Sequence, residues 1–290
     1  MKHLLHALVI LLLCVGTSHA TPPTIINLSK AIEQHIVTVN AETTGSSYNQ
    51  QALKLTIKNT GSLTFNLVMN PGVIFRPDSA GYQPLILAGE EKMYMTPLKE
   101  NTITVQTFCA DSRMSAPAKG ISYTYQGMGN DTLVKALYFI KQNRIYNILG
   151  QSAVWMFTNG HSLNQVYDPA NEFVSKKLMD YLINITGRTE PQYYVQTTVN
   201  NAVGEVVYDP KTLKIFAKFE EQLDAPKKLT LGIYNENGEM IQSVFEDRTY
   251  GKAGHRFRVE FEAIGVDPGK YYIRLKEGDA VLRETMVEVK

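Results

Sequence analysis

Leu229-Thr-Leu-Gly-Ile-Tyr-Asn-Glu-Asn-Gly-Glu-Met-Ile-Gln-Ser-Val244 is the stretch that best reveals the fold of this chain. Leu229, Leu231 and Ile233 alternate with other residues, and a second apolar run begins at Met240. This alternation has the period of a β-strand, in which successive side chains point to opposite faces. The intervening Asn235-Glu-Asn-Gly238 has the composition of a tight turn. The stretch therefore predicts a β-hairpin.

Strand-like segments continue on both sides of this hairpin, at a spacing of roughly 10 to 15 residues. They are Leu213–Phe219, Phe257–Phe261, Tyr271–Leu275 and Thr285–Val289. The pattern predicts an immunoglobulin-like β-sandwich of six or seven strands over residues 191–290. Tyr193–Val199 is also strand-like and fits either this sandwich or the region before it.

Apolar and polar residues alternate with the same period of two in the region from Ile25 to Tyr125. Its clearest strands are His35–Val39, Leu53–Ile57, Leu63–Leu67 and Thr102–Phe108. They predict a second, antiparallel sandwich with one buried face per sheet. The predicted fold is therefore mainly β, with two β-sandwich (immunoglobulin-like) domains.

From about residue 130, apolar residues recur at helical spacing. Three helices are predicted, with these bounds: Asn130 or Asp131 to Gly150, Gln151 to Phe157, and Asp168-Pro169 to Gly187. Three helices are too few for a bundle, so we expect this insertion, about 130–187, to pack on the first sandwich. The predicted domains are 21–190 and 191–290, joined by the linker Thr186–Pro191.

The first 20 residues have the features of a signal peptide. Lys2 gives a positive start, Ala7–Val15 is apolar, and Ser18-His-Ala20 places small residues at a cleavage site. Lipoprotein processing at Cys14 is the alternative. No later run approaches the ~20 apolar residues of a membrane span, so no transmembrane segment is predicted. We expect an exported protein at the cell surface or outside the cell, with the periplasm as a further option.

The charge of the chain limits its partners. The formal net charge is +1, and loss of the signal peptide with Lys2 makes it zero. Binding to nucleic acid depends on many neutralised phosphates, so a neutral chain argues against a nucleic-acid partner. A net charge of zero argues equally against electrostatic binding to anionic membranes.

The turns of the C-terminal region carry a resemblance. Asn235-Glu-Asn-Gly238, Gly251–His255, Asp267-Pro-Gly-Lys-Tyr-Tyr-Ile-Arg-Leu275 and the final Lys290 resemble the C-terminal sorting domain of bacterial type IX secretion cargo. The same pattern is similar to the immunoglobulin-like module of the flagellar hook-capping protein. The resemblance implies a bacterial envelope protein. It leaves open whether the module is removed near Leu229 or is permanent.

A second resemblance involves the candidate binding residues Cys109, Gln151 and Trp155. Phe108-Cys109 and Gly150-Gln-Ser-Ala-Val-Trp155 resemble the thioester domains of bacterial surface adhesins, although Gly150 stands where that family has Thr. The resemblance implies a Cys–Gln thioester that couples to amines on a host surface. The bonded glutamine lies inside or outside this motif, and Gln196 is one option. The structural alternative is a small buried Cys with Trp155 in a helix core.

Other chemistry has little support in the sequence. His35, His161 and His255 fall one in each segment, so neither a zinc site nor a Ser-His-Asp triad is predicted. No cofactor motif and no catalytic residue is singled out. A glycan-active hydrolase remains an alternative, because its two carboxylates need not be close in the chain.

Four tyrosines in the first domain permit either of two roles. Tyr82, Tyr94, Tyr123 and Tyr125 predict either a surface that stacks on sugars or ordinary packing of sheet faces. The function predicted overall is that of a non-catalytic binding, adhesion or envelope-structural protein. Its expected partners are a host or cell-surface protein or glycan, and envelope assembly components.

Overall fold

The structure is a computed structural model that describes residues 24–45, 51–199, 205–206 and 208–290. It is mainly β, with β-sandwich architecture and a helical insertion, as predicted. The predicted signal peptide, 1–20, lies outside the described residues. No helix in the described part of the chain combines the length and the apolar composition of a membrane span.

The described residues of the N-terminal region, 24–45 and 51–128, contain one short helix and ten strands. They are β1 Thr24–Asn27, α1 Leu28–Glu33, β2 Val37–Thr43, β3 Leu53–Asn59, β4 Phe65–Met69, β5 Val73–Pro77, β6 Leu85–Leu87, β7 Glu91–Met95, β8 Glu100–Val105, β9 Thr107–Cys109 and β10 Ser122–Met128. The sheets have the orders β1-β4-β7 and β8-β3-β2-β10-β5-β6-β9. The prediction of antiparallel strands holds for every pair except β1 with β4, which are parallel.

The predicted single strand Thr102–Phe108 is two strands, β8 and β9. They form opposite ends of the larger sheet although only Gln106 separates them in the chain. Because one residue spans little more than 3 Å, the end of β8 and the start of β9 must lie next to each other. The sheet therefore curls round its core, and β9 provides an edge on which other elements can pack.

Three longer helices follow: α2 Asp131–Gln142, α3 Ile148–Thr158 and α4 Glu172–Thr186. Each has an asparagine cap whose side-chain oxygen accepts a backbone N–H; the caps are Asn130, Asn147 and Asn171. Gly187 ends α4 in the left-handed conformation, as predicted. The predicted start at Asp168-Pro169 is instead a single 3-10 turn, Pro169–Asn171, that leads into α4.

The prediction that Gly150 closes the first helix is wrong. Helix α2 ends at Gln142, the chain reverses through Arg144 at φ 53°, and Gly150 lies inside α3. A β-carbon at Gly150 would lie 2.1 Å from the carbonyl oxygen of Ile145 and 2.9 Å from the Phe108 ring. Glycine is thus required by close packing, not by a helix end.

In the C-terminal region, the part that the structure describes has seven strands: β11 Tyr193–Val199, β12 Tyr208–Gln222, β13 Lys227–Tyr234, β14 Met240–Tyr250, β15 Gly254–Glu262, β16 Gly269–Glu277 and β17 Ala280–Val289. They form sheets β11-β12-β15 and β14-β13-β16-β17. This is an immunoglobulin-like arrangement of seven strands. The predicted hairpin is present, with Gly238 left-handed at its turn.

Apolar side chains form three cores: one inside the first sandwich, one among α2, α3, α4 and β9, and one inside the C-terminal sandwich. Tyr194 packs against the helical core, and Val199 and Tyr208 pack against the first sandwich. The strands that open the C-terminal sandwich therefore also contact the N-terminal region. The predicted boundary at 190/191 stays a prediction.

Candidate functional site

The structure brings Cys109, Gln151 and Trp155 together in the interior. Cys109 ends the edge strand β9, and Gln151 lies one turn before Trp155 on α3. The Cys109 N–H donates to Gln151 Oε1 (2.9 Å), and Gln151 Nε2 donates to the Cys109 carbonyl oxygen (2.8 Å). All three residues are buried. The Gln151 carboxamide thus pairs with the strand edge as a neighbouring peptide group does.

The surroundings of Cys109 favour a protonated thiol. Burial raises the pKa of the Cys109 thiol well above its ordinary value, because a buried thiolate loses hydration. The Trp155 ring packs near His161 and Tyr208, with centroids at 5.5 and 5.8 Å. These contacts fit the structural role for the three residues. Their role in binding stays a prediction, and Gln196 lies elsewhere, on the wall of a separate cavity.

Sequence reasoning missed a contact between Ser112 and His161. The Ser112 Oγ and His161 Nε2 atoms are 2.9 Å apart. Asp111 is close, but its Oδ1 accepts from Asn159 Nδ2 (3.1 Å) and from the Arg113 N–H (3.1 Å). Ser112 is fully buried, so a substrate has no access to its hydroxyl. No local signal marks this pair, since 49 positions separate its members.

The four tyrosines of the first domain do not share one surface. Tyr123 is buried and donates to the Gln83 carbonyl oxygen, whereas Tyr94 is exposed on a different sheet. Tyr125 packs edge-on against Phe75. A sugar-stacking surface made of all four is therefore wrong.

A cleft of about 270 Å³ lies between α4 and the C-terminal sandwich. Its walls come from the loop before α4, α4 itself, the linker, β11, β12 and β15, through Tyr167, Glu172, Ser175, Lys176, Met179, Glu190, Tyr194, Lys218, Glu220 and Arg256. Tyr167 and Tyr194 stack with their centroids 4.4 Å apart and their planes 12° apart. The cleft combines two aromatic rings with a ring of polar groups, and it is smaller and more polar than most small-ligand pockets.

Each charged group in this cleft has a partner of opposite charge or a hydrogen-bond donor. Glu172 accepts from Lys218 Nζ (3.4 Å), Arg258 Nη1 (3.5 Å) and the Tyr167 hydroxyl (3.2 Å). Arg256 binds Glu220 at 2.7 Å. Lys176 binds Asp180 (2.9 Å), and Glu190 accepts from the Tyr194 hydroxyl (3.3 Å). The cleft is therefore polar but close to neutral.

The same contacts set the protonation states. Burial, followed by the Glu172 carboxylate, raises the pKa of Tyr167 to about 12. Burial, followed by Glu190, raises the pKa of Tyr194 to about 12. Burial acts to raise the pKa of Glu172, but Lys218, Arg258 and Tyr167 together lower it below its ordinary value. The two tyrosine hydroxyls thus stay protonated across the physiological range and donate to the Glu172 and Glu190 carboxylates, whose other lone pairs can accept from a ligand.

Tyr167 also lines a second cavity of about 340 Å³, on whose wall Ile148, Gln165, Gln196 and Thr197 lie. Tyr167 thus lines both cavities. The stack with Tyr194 and a tilted contact with Phe216 (5.3 Å between centroids) fix the ring. Tyr167 is the central residue of the candidate site.

Paired catalytic carboxylates are not evident in the described residues. Burial, opposed by Lys141, raises the pKa of Glu91, but Glu91 is not among the residues that line the cleft. A general acid needs such a shift, whereas Glu172 in the cleft is shifted downward. The described residues also contain no group of three or more His, Cys, Asp or Glu side chains placed to hold a metal ion.

Comparison with known proteins gives no family. No protein-family model matches the chain, and no curated protein is similar to it. Two solved structures of β-glucosidase from Kluyveromyces marxianus, one Se-Met labelled and one in complex with glucose, match at 9% and 8% identity with TM-scores of 0.20. They cover 87% of this chain, which spans about half of theirs. A similarity at this level carries no argument about fold or activity.

Proposed function

We propose that this chain is an exported binding protein of the bacterial envelope or cell surface, and that the cleft beside Tyr167 holds a glycan of a host or cell surface. The observation that carries the proposal is the combination, in one cleft, of two stacked tyrosines with carboxylate acceptors and ammonium donors. A sugar hydroxyl both donates and accepts, so alternating groups of this kind suit it. The aromatic rings suit the apolar C–H groups of a sugar.

A peptide is the less favoured ligand. Peptides are commonly held by main-chain pairing at a sheet edge or by an apolar groove for a helix. The cleft has neither, since its walls are side chains of a helix, a linker and strand faces. Its paired charges also give no net field that would select a charged peptide.

A glycan array with the mature chain tests this function. Tyr167→Leu removes a ring and the hydroxyl that binds Glu172. Tyr94→Leu makes the same change at an exposed tyrosine of the sheet β1-β4-β7, which does not line the cleft. We expect binding to a subset of glycans, a loss of at least about tenfold in affinity for Tyr167→Leu, and no change for Tyr94→Leu. Equal effects of the two variants, or no glycan bound by the parent, would contradict the proposal.

The predicted sorting module is better viewed as a permanent domain. Core residues from β12, such as Ile215 and Phe219, share one core with residues from β16 and β17. The Thr212 N–H donates to the Lys290 carbonyl oxygen (2.9 Å), and the Lys290 N–H donates to Thr212 Oγ1 (3.0 Å). Removal of everything after Leu229 would delete the core residues of β15, β16 and β17 and expose those of β12, such as Ile215 and Phe219, to water. Peptide mapping of the exported form is expected to recover Lys290.

A covalent adhesin that uses Cys109 is the second candidate, and the contact of its backbone with the Gln151 amide favours it. Attack of the Cys109 sulfur on the Gln151 carboxamide would form a thioester and release one ammonia. Intact-mass measurement separates the candidates: the thioester form is lighter by one ammonia and resists alkylation after denaturation. An unchanged mass with one alkylatable thiol leaves Gln151 with its structural role.

A further inference from the structure

Tyr167 lines a second cavity as well as the cleft, and this cavity is the larger of the two at about 340 Å³. Strand β11 runs along both spaces, with Tyr194 on the wall of the cleft and Gln196 on the wall of the cavity. Residues two apart in a strand are separated by about 7 Å. The two spaces are therefore close enough for one ligand to reach both.

The wall of the second cavity carries uncharged polar groups. Ser152, Gln196 and Thr197 are half-buried there, and their side chains make no hydrogen bond within the described part of the chain. The cleft differs, since Glu172 and Arg256 already bind groups of the protein. The donors and acceptors of the cavity are thus available to a ligand in exchange for water.

The charge and the apolar content of the cavity narrow the class of ligand. Asp168 is the only charged group among the described residues that line it, and its Oδ1 accepts from the Ala170 N–H (3.0 Å). A lone carboxylate repels an anion. Ile148, Val199 and Leu213 add half-buried apolar surface to the wall. The cavity therefore suits a neutral group that has hydrogen-bonding atoms and a small apolar part.

An acetamido group has this chemistry, because it carries one N–H donor, one carbonyl acceptor and a methyl group. Gln196 offers a carboxamide oxygen to the donor, and the Ser152 and Thr197 hydroxyls offer donors to the carbonyl oxygen. The methyl group suits the apolar part of the wall, which a sugar hydroxyl would leave unused. The wall thus matches an acetamido group better than a hydroxyl group.

We infer that the bound glycan contains an N-acetylated amino sugar, and that the acetamido group of this sugar lies in the second cavity against Gln196. This inference rests on the proposed glycan-binding function. It adds a second subsite and names a class of sugar, neither of which the cleft alone requires.

Calorimetric titration of the mature chain with matched sugars tests the inference. The pairs are N,N′-diacetylchitobiose with cellobiose, N-acetyllactosamine with lactose, and N-acetylgalactosamine with galactose. Within each pair the sugars differ only by acetamido groups in place of hydroxyl groups. We expect the acetamido member of at least one pair to bind about tenfold more tightly, because it adds hydrogen bonds and buries a methyl group.

Two variants locate this preference in the second cavity. Gln196→Leu keeps the approximate size of the side chain and removes its amide, so it should abolish the preference. Ser152→Ala removes one hydroxyl from α3 and should reduce the preference about threefold. Gln126→Leu is the matched control, because Gln126 is exposed on β10 and lines neither space.

The outcomes separate this inference from the function on which it rests. The second subsite is refuted, and the glycan function stands, if the acetamido member binds no more tightly in any pair. The same conclusion follows if the preference survives both cavity variants or is lost equally in Gln126→Leu. It also follows if none of these sugars binds while the glycan array detects other ligands. If neither the panel nor the array shows binding, both proposals fail.

Discussion

Replacement of Gln151 by methionine tests the role of the most buried polar contact near Cys109. The change keeps the length of the side chain and removes both hydrogen bonds to the Cys109 backbone. Leu85 and Cys109 form a non-hydrogen-bonded pair, because the flanking bond runs from the Ala110 N–H to the Pro84 carbonyl oxygen. The Cys109 N–H and C=O therefore point away from β6 and toward Gln151.

The expected loss follows from these two groups. Leaving a buried donor or acceptor without a partner costs about 1–3 kcal/mol each, and the apolar gain of methionine offsets part of that. We expect the free energy of unfolding to fall by about 2–4 kcal/mol, or the urea midpoint by about 1–2 M. Cys109→Ala keeps both hydrogen bonds and should cost less.

Urea unfolding followed by tryptophan fluorescence is the assay. Trp155 is the single tryptophan of the chain and is buried on the same helix, so its emission reports on this region. Gln142→Met makes the same change at an exposed helix position and should leave the midpoint unchanged. An unchanged midpoint for Gln151→Met, or an equal shift for Gln142→Met, would falsify the structural role of Gln151.

Three further predictions concern the backbone and pH. Gly150→Ala should lower the free energy of unfolding by about 2 kcal/mol or more, because the added β-carbon meets the Ile145 carbonyl oxygen. This loss outweighs the better helix propensity of alanine. Gly61→Ala, where a β-carbon has room, is the control in the same urea assay. Burial and Arg113 lower the pKa of His161, so the unfolded state binds a proton more readily and stability falls as pH drops below about 6.5. His161→Phe should flatten that dependence between about pH 7.5 and 5.5, and an unchanged slope would contradict it. Leu98→Gly should stabilise by about 0.5–1 kcal/mol, because Leu98 is left-handed (φ 58°) and mostly exposed; a lower melting temperature would show that the strain is absent.

The local sequence pattern was sufficient to predict most of the strands and helices. Strands β3, β11 and β13 contain or match the segments marked by alternation, and the start of α2 at the Asn130 cap and the end of α4 at Gly187 follow from residues within one turn. These features depend on side-chain period and on capping, which are properties of neighbouring residues. The sequence therefore contains enough information to predict them.

The errors occurred where distant residues decide the outcome. Glycine favours helix ends, so the sequence predicts a helix end at Gly150. The structure shows instead that glycine is needed there because Ile145 and Phe108 approach closely. Tyr94 is flanked by Met93 and Met95 and is exposed, whereas Tyr123 is flanked by Ser122 and Thr124 and is buried. That the two tyrosines lie on different sheets depends on strand pairing with distant residues.

The sequence by itself determined a mainly β chain with a helical insertion, an immunoglobulin-like region over residues 191–290, and Cys109, Gln151 and Trp155 as residues worth examining. Only the tertiary structure decided that Gln151 binds the Cys109 backbone and that Tyr167 and Tyr194 stack beside a polar cleft. The physical reason is that periodicity records which face of an element is apolar. It does not record which element covers that face, and a cleft exists only between elements that are already packed.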